Sequence, residues 1–230
     1  MPANLAYHGS AGDYFADHAE NGTWNSLIDR PAIAALAGDV DGLRILDAGC
    51  GAGHHAVGLV ERGASVLGLE GSAVLVEHAR ARLGDRAEIR QHDLNEPLSP
   101  ADASFDGVLC ALVLHHLADR PAFLREVFRV LRPGGWFILS TTHPTSDWRH
   151  FEDSYFSSEW VQLMMRDGVH AIRYQRMSIE TIVTELLTAG FVLEQLVEPR
   201  PVEALRDLDP DSYHNLTRSP SLLALRLRRP

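Results

Sequence analysis

Leu43-Arg-Ile-Leu46, Asp47-Ala-Gly-Cys-Gly-Ala-Gly53 and His54-His-Ala-Val-Gly-Leu-Val60 follow one another without a break. The order reads as a buried strand, a glycine turn and the first turns of a helix. Glycines at 49, 51 and 53 allow positive φ and let a ligand approach where a Cβ would collide. The turn opens onto a helix N-terminus, whose unpaired N–H groups and partial positive charge suit the polar part of a nucleotide-like cofactor. Gly51-Ala-Gly-His-His-Ala56 also satisfies the looser G-x-G-x-x-A dinucleotide pattern. The turn alone leaves the cofactor undecided.

Reading outward, short apolar strands alternate with helices. Arg44–Asp47 precedes a helix over 54–62 that ends at Gly63, and Ser65–Leu69 precedes a helix capped by Ser72, with Leu75, Ala79 and Leu83 on one face. Ala87–Gln91 and Phe105–Cys110 follow. A helix from Asp119 buries Phe123, Leu124, Val127, Phe128 and Leu131, and Arg132-Pro-Gly-Gly135 stops it before the apolar strand Trp136–Ser140. Five such strands predict a parallel sheet covered on both faces, with its ligand at the carboxyl ends of the strands. Those ends are Asp47, Glu70, Asp93 and Cys110-Ala111, and three of the four carry a carboxylate.

Residues 1–42 read as an N-terminal helical cap. One helix spans Asp13–Glu20, Asn21-Gly22 breaks it, and Trp24–Leu36 resumes with Pro31 kinking or dividing it. Residues 43–230 read as the cofactor-binding domain. Within it, 141–177 shows no regular period and is rich in aromatic, His and hydroxyl groups, which fits a substrate-side lid. Ser178 then caps a helix ended by Gly190, and Phe191–Val197 and Ser221–Arg228 are the last strands. The final one alternates apolar and basic residues, as an antiparallel strand with one wetter face does.

The chain has 230 residues, 45% of them hydrophobic and 23% charged, enough for a sizeable core. A formal net charge of -10 argues against a nucleic-acid backbone as partner, and the basic stretch Arg226-Leu-Arg-Arg229 reads as a solvated end. Two cysteines, Cys50 and Cys110, make no disulfide framework. With no signal peptide and no apolar run long enough to span a membrane, the expected home is cytoplasmic. No His/Cys spacing suggests a metal site.

The glycine turn with Asp47 resembles the first motif of class I S-adenosylmethionine-dependent methyltransferases. Glu70-Gly-Ser72, Asp93-Leu94, Phe105-Asp106, Leu114-His-His-Leu117 and Leu131-Arg-Pro-Gly-Gly135 follow in the order of that family, most like its small-molecule (type 11/25-like) subgroup. The resemblance implies a Rossmann-like, doubly wound α/β fold, with a mostly parallel seven-stranded sheet and an antiparallel last strand. It implies S-adenosyl-L-methionine as cofactor, S-adenosyl-L-homocysteine as its product, and a small methyl acceptor.

The implied cofactor residues are Tyr14, Asp47, Gly49, Cys50, Gly51, Gly53, Glu70, Gly71, Ser72, Asp93, Leu94, Ala111 and His116. Glu70, where the family more often has Asp, would take the ribose hydroxyls. Asp93 would take the adenine amine, and Asp47 with the turn would hold the methionine end. An acidic rim suits a sulfonium better than it suits a pyrophosphate.

On the substrate side, Trp24, His115 and Trp148 are candidates for an apolar or aromatic acceptor. His143, just past the fifth strand, is the candidate general base, with wall-shaping as its bland alternative. Competing readings are an NAD(P)-dependent oxidoreductase and a cofactor-binding protein with non-methylating chemistry. Self-association, if any, would use the N-terminal helices and 141–177.

Overall fold

The computed structural model describes Tyr7, residues 9–165 and residues 167–230. Seven strands form the main sheet: β1 (Arg44–Ala48), β2 (Ser65–Glu70), β3 (Glu88–Gln91), β4 (Phe105–Ala111), β5 (Leu131–Thr142), β8 (Val192–Val197) and β9 (Leu222–Arg228). β6 (Trp160–Met164) and β7 (Ala171–Gln175) make a separate antiparallel hairpin. The sheet order is β3-β2-β1-β4-β5-β9-β8. β3 through β5 run parallel, and β9 runs antiparallel to both of its neighbours. This is the Rossmann-like, mostly parallel seven-stranded sheet with an antiparallel last strand that the sequence predicts. Strand order reverses between β1 and β4, where an α/β sheet opens a crevice for ligands.

The two-residue period of the strands divides the core. Ile45, Leu109, Ile138 and Ala224 face one layer, which includes Ile33 and Leu36 of α2 (Arg30–Ala37), Ala56 and Leu59 of α3 (His54–Glu61), and Val76 and Ala79 of α4 (Ala73–Leu83). Their chain neighbours Leu46, Val108, Phe137 and Leu225 face the other, against α5 (Arg120–Val130) and α7 (Ile179–Thr188). Both faces are apolar because both are covered. Of the N-terminal segment, α2 therefore belongs to the sheet's helical layer, whereas α1 (Ser10–Asn21) packs on α4 through Ala16 and Leu75.

Pro31 widens the chain rather than simply bending it. Residues Asn25–Asp29 form one π turn, closed by the Arg30 N–H onto the Asn25 carbonyl. Pro31 has no N–H to offer the Leu27 carbonyl. The Val202 N–H supplies that bond instead, at 3.0 Å.

Two sequence expectations change. Residues 141–177 carry regular structure: α6 (Pro144–Phe151) and the β6–β7 hairpin. The basic end is not solvated freely. Arg226 donates to the Leu36 carbonyl at 2.6 Å and pairs with Glu194, as does Arg228. Arg229 reaches the carbonyls of Phe128 and Arg129, which terminate α5. The short helices α8 (Ala204–Leu208) and α9 (Pro210–Leu216) bridge β8 to β9. Among the described residues no helix is long and apolar enough to cross a membrane.

Candidate functional site

The glycine turn is built by hydrogen bonds from its own amides. Gly49 and Cys50 donate to the Leu69 carbonyl at 2.8 and 3.0 Å, at the end of the neighbouring strand. Gly51 donates to Glu70 Oε2 at 3.0 Å, and Ser72 donates to Oε1 at 2.8 Å. At Gly49, with φ of 83°, a Cβ would run into the Val113 side chain. At Gly51, also at positive φ, a Cβ would project into open space, so the backbone there is bare to a ligand.

Around this turn lies a cavity of about 810 Å³. Of the residues the sequence singled out, it gathers Trp24, Gly49, Gly51, Glu70, Gly71, Leu94, Ala111, His115 and His116. Asp47 sits beneath the turn, only 1% exposed, and its Oδ2 has no hydrogen-bond partner among the described residues. Burial pushes its carboxyl up to about 6, against the pull of His55 and with a push from Glu70. An orphaned buried carboxylate oxygen below a ligand crevice suits a cationic ligand group.

Other expected residues lie elsewhere. Gly53 packs α3 against Ala79 and Leu83, and the Cys50 Sγ fills the space beside Gly68. Burial pushes the Cys50 thiol well up, so it is no nucleophile. Ser72 caps α4 and donates to the Tyr7 carbonyl. Asp93 is exposed, and its Oδ1 accepts from the Asn95 backbone and side-chain amides. Tyr14 stacks on His170, with ring centroids 4.5 Å apart, and does not line the cavity. Trp148 is 46% exposed and lines it neither.

His143 is displaced from the role proposed for it. It is 1% exposed and caps α6, its Nδ1 accepting from the Thr145 N–H at 3.2 Å. Its Nε2 faces Glu198 Oε1 at 3.1 Å. Both ring nitrogens are engaged, and the residue is absent from the cavity wall.

The wall presents Asp147, which sequence reasoning passed over, beside the expected His115 and His116. Asp147, on the first turns of α6, accepts from the Tyr174 hydroxyl at 2.8 Å and from the Thr142 hydroxyl at 3.2 Å. Burial raises its carboxyl above the ordinary range, opposed by those two bonds. His116 donates from Nδ1 to the Arg173 carbonyl at 2.8 Å, which leaves Nε2 to accept from the Tyr7 hydroxyl at 3.1 Å. Burial holds that ring neutral, its pKa lowered to about 4. His115 meets Thr141 Oγ1 through Nδ1 at 2.9 Å, and burial likewise pushes it well down. Leu163, Met164, Met165 and Ile172 of the hairpin complete an apolar side. The available signal was the aromatic and polar excess of 141–177, which carried no period to place it.

A doubly wound sheet with a glycine turn, an acidic second-strand end and a deep crevice at the switch point defines a nucleoside-cofactor-binding α/β domain. Residues 46–139 match the family described as methyltransferase domain. Over 106 residues, 46% of this chain, the sequence is 43% identical to a Mycolicibacterium smegmatis protein named a probable S-adenosylmethionine-dependent methyltransferase, with 40% of that protein covered. Over 142 residues it is 30% identical to the ubiquinone biosynthesis O-methyltransferase of Leptothrix cholodnii, with 60% of each covered. The chain thus spans about half the length of these curated relatives. An S-adenosylmethionine-dependent methyltransferase structure from Mesorhizobium loti superposes with a TM-score of 0.72 at 26% identity, covering 91% of this chain and 99% of that one. Residues 46–139 thus match the methyltransferase-domain family, and S-adenosylmethionine-dependent methyltransferases are what the chain resembles in sequence and fold.

Proposed function

We propose that this chain transfers a methyl group from S-adenosylmethionine to a small, largely apolar or aromatic metabolite by direct displacement. The observation that carries the reading is one cavity of about 810 Å³, running from Gly51, Glu70 and Leu94 to Trp24, Leu163, Ile172 and Tyr174. That volume is in the range of sites that enclose small molecules.

The residues fit the cofactor. Glu70 would accept from the ribose hydroxyls, since a carboxylate offers about four lone-pair sites. The Asp47 carboxylate would compensate the ammonium at the methionine end through its unpartnered oxygen. Leu94 would flank the adenine, and Asp93, held outward by Asn95, is left out of the contact set. When bound, S-adenosylmethionine supplies a methyl group on a cationic sulfur.

The chain's own contribution is positioning, exclusion of water and handling of a proton. Asp147 replaces His143 as the candidate base. It lines the cavity, its pKa is raised by burial, and Tyr174 and Thr142 fix its orientation. It would take the proton of the acceptor's nucleophilic atom, a role worth about 10²–10⁴-fold in rate. The smooth wall of Leu163, Met164 and Ile172 would hold an apolar acceptor by burial of its surface.

Isothermal titration with S-adenosylhomocysteine and with NADH tests the reading. Binding of the former without the latter is expected. Tight NADH binding with no response to S-adenosylhomocysteine overturns it.

A further inference from the structure

A second depression, of about 490 Å³, adjoins the cavity and shares Trp24, Ser146 and His150 with it. Its remaining wall is Arg149 together with residues 215, 216 and 218–221, among them Arg218 and Ser221. No carboxylate lines it, in a chain whose formal net charge is -10.

Its two guanidinium groups are uncompensated in different ways. Arg149 is anchored by neutral acceptors alone: Ser219 Oγ at 2.8 Å, and the carbonyls of Thr145 and Pro220, each at 3.3 Å. These bonds fix its position and leave its charge unneutralised. Arg218 has no side-chain partner among the described residues, and it is exposed. Arg206, by contrast, pairs with Glu203. Beneath the depression Ser221 is 3% exposed, and its hydroxyl has no hydrogen-bond partner among the described residues. A rigid guanidinium, a second free one and an unsatisfied hydroxyl form a recognition site for an anion, since arginine matches carboxylate and phosphate oxygens in pairs.

We infer that the methyl acceptor carries an anionic head, a carboxylate or a phosphate, which docks between Arg149 and Arg218 while its apolar body extends past Trp24 and Ser146 to Asp147. The inference rests on the methyltransferase reading for the word acceptor, but the anion site stands on its own residues. Asp147 lines the larger cavity and the arginines line the depression, with Trp24, Ser146 and His150 common to both, so a molecule with a nucleophile at one end and an acid at the other reaches both. An uncharged analogue would leave the arginines' charge unmatched and forgo the steering it gives.

The test uses four probes titrated into the full chain by calorimetry, with and without saturating S-adenosylhomocysteine. They are 4-hydroxycinnamate, its methyl ester, 4-hydroxyphenyl phosphate and hydroquinone. At least one acid is expected to bind ten or more times tighter than its uncharged counterpart, with a preference that shrinks as salt rises. Which acid wins distinguishes a carboxylate head from a phosphate head. Arg218→Ala, which breaks no bond within the fold, and Arg149→Gln, which keeps a donor for Ser219, should each reduce that preference several-fold. The double variant should abolish it, with S-adenosylhomocysteine affinity unchanged.

Equal binding of acids and uncharged counterparts, or an acid preference that survives the double variant, overturns the proposal. Failure of S-adenosylhomocysteine to bind would instead overturn the methyltransferase reading, and the acid preference would be read independently of it.

Discussion

The backbone N–H of Gly51 donates to Glu70 Oε2 at 3.0 Å, so the carboxylate that ends the second strand also fastens the turn that follows the first. Its other oxygen accepts from Ser72 at the start of α4. Glu70→Gln replaces one acceptor oxygen with an N–H₂ group facing an N–H donor. A buried donor then loses its partner, at a cost of about 1–3 kcal/mol. The variant should melt lower by differential scanning calorimetry, and S-adenosylhomocysteine affinity should drop by about tenfold or more. Loss of stability with unchanged affinity would assign Glu70 a purely structural role.

Asp47 sets stability against binding. Its folded carboxyl titrates at about 6, above an ordinary value of 3.8, because burial disfavours the charge. The native state therefore holds the proton longer than the unfolded chain does. The associated stability is fully present below the unfolded pKa and is lost as pH rises through about 6, amounting to about 3 kcal/mol by neutral pH. Asp47→Asn should accordingly be more stable than the parent at pH 7.5. That advantage should shrink steadily between pH 6 and 4 in denaturant titrations. The same variant should bind S-adenosylhomocysteine more weakly, and the parent's affinity should fall as pH drops below 6.

Asp147 and Tyr174 are separable by pH. Asp147→Asn should lower turnover by about 10²–10⁴-fold with cofactor affinity retained. Tyr174→Phe removes a hydroxyl that donates to the carboxylate and favours its charged form. The Asp147 pKa then rises further, so the acid limb of the pH–rate profile should move to higher pH while the plateau rate changes less. A profile that stays in place would remove Asp147 from the proton transfer.

The sheet was legible because its strands are buried on both faces and punctuated by glycine and proline. Ile45 and Leu46, or Leu109 and Cys110, are apolar neighbours that serve opposite layers. The glycine-turn wall of the cavity was legible for the same reason: Gly49, Gly51 and Glu70 stand at strand ends that the alternation locates. The wall formed by 141–177 was not. In α6 the cap is His143, outside the Ser/Thr/Asp/Asn set that marks helix starts. The helix went unrecognised, and its capping side chain was read as chemistry. The hairpin over 160–175 has neither a strong alternation nor a two-residue turn, and its strands are mostly half-buried. His143→Ala should therefore cost about 0.5–2 kcal/mol of stability. S-adenosylhomocysteine affinity and turnover should hold once the variant is folded. A selective loss of turnover would restore His143 to the reaction.

Gly107 and Trp136 test the packing that holds β4 and β5 in register. They are paired across β4 and β5, immediately after the ladder slips between Phe105 and Gly107. The Trp136 indole lies over the glycine so closely that a Cβ there would overlap the ring. The ring cannot retreat freely, because the Arg226 guanidinium stacks on it at 5.6 Å from the centroid and is itself anchored to the Leu36 carbonyl of α2. A methyl group at 107 must therefore push β5 or tilt the indole off its cation, and overpacking of this kind costs about 1–3 kcal/mol. Gly107→Ala should show that loss in urea titrations. Because the clash is with one ring, Trp136→Leu in the same chain should recover part of it, making the double variant more stable than the sum of the two single changes predicts. Simple additivity would mean that the cost of the methyl group arises in the strand backbone and not at the ring.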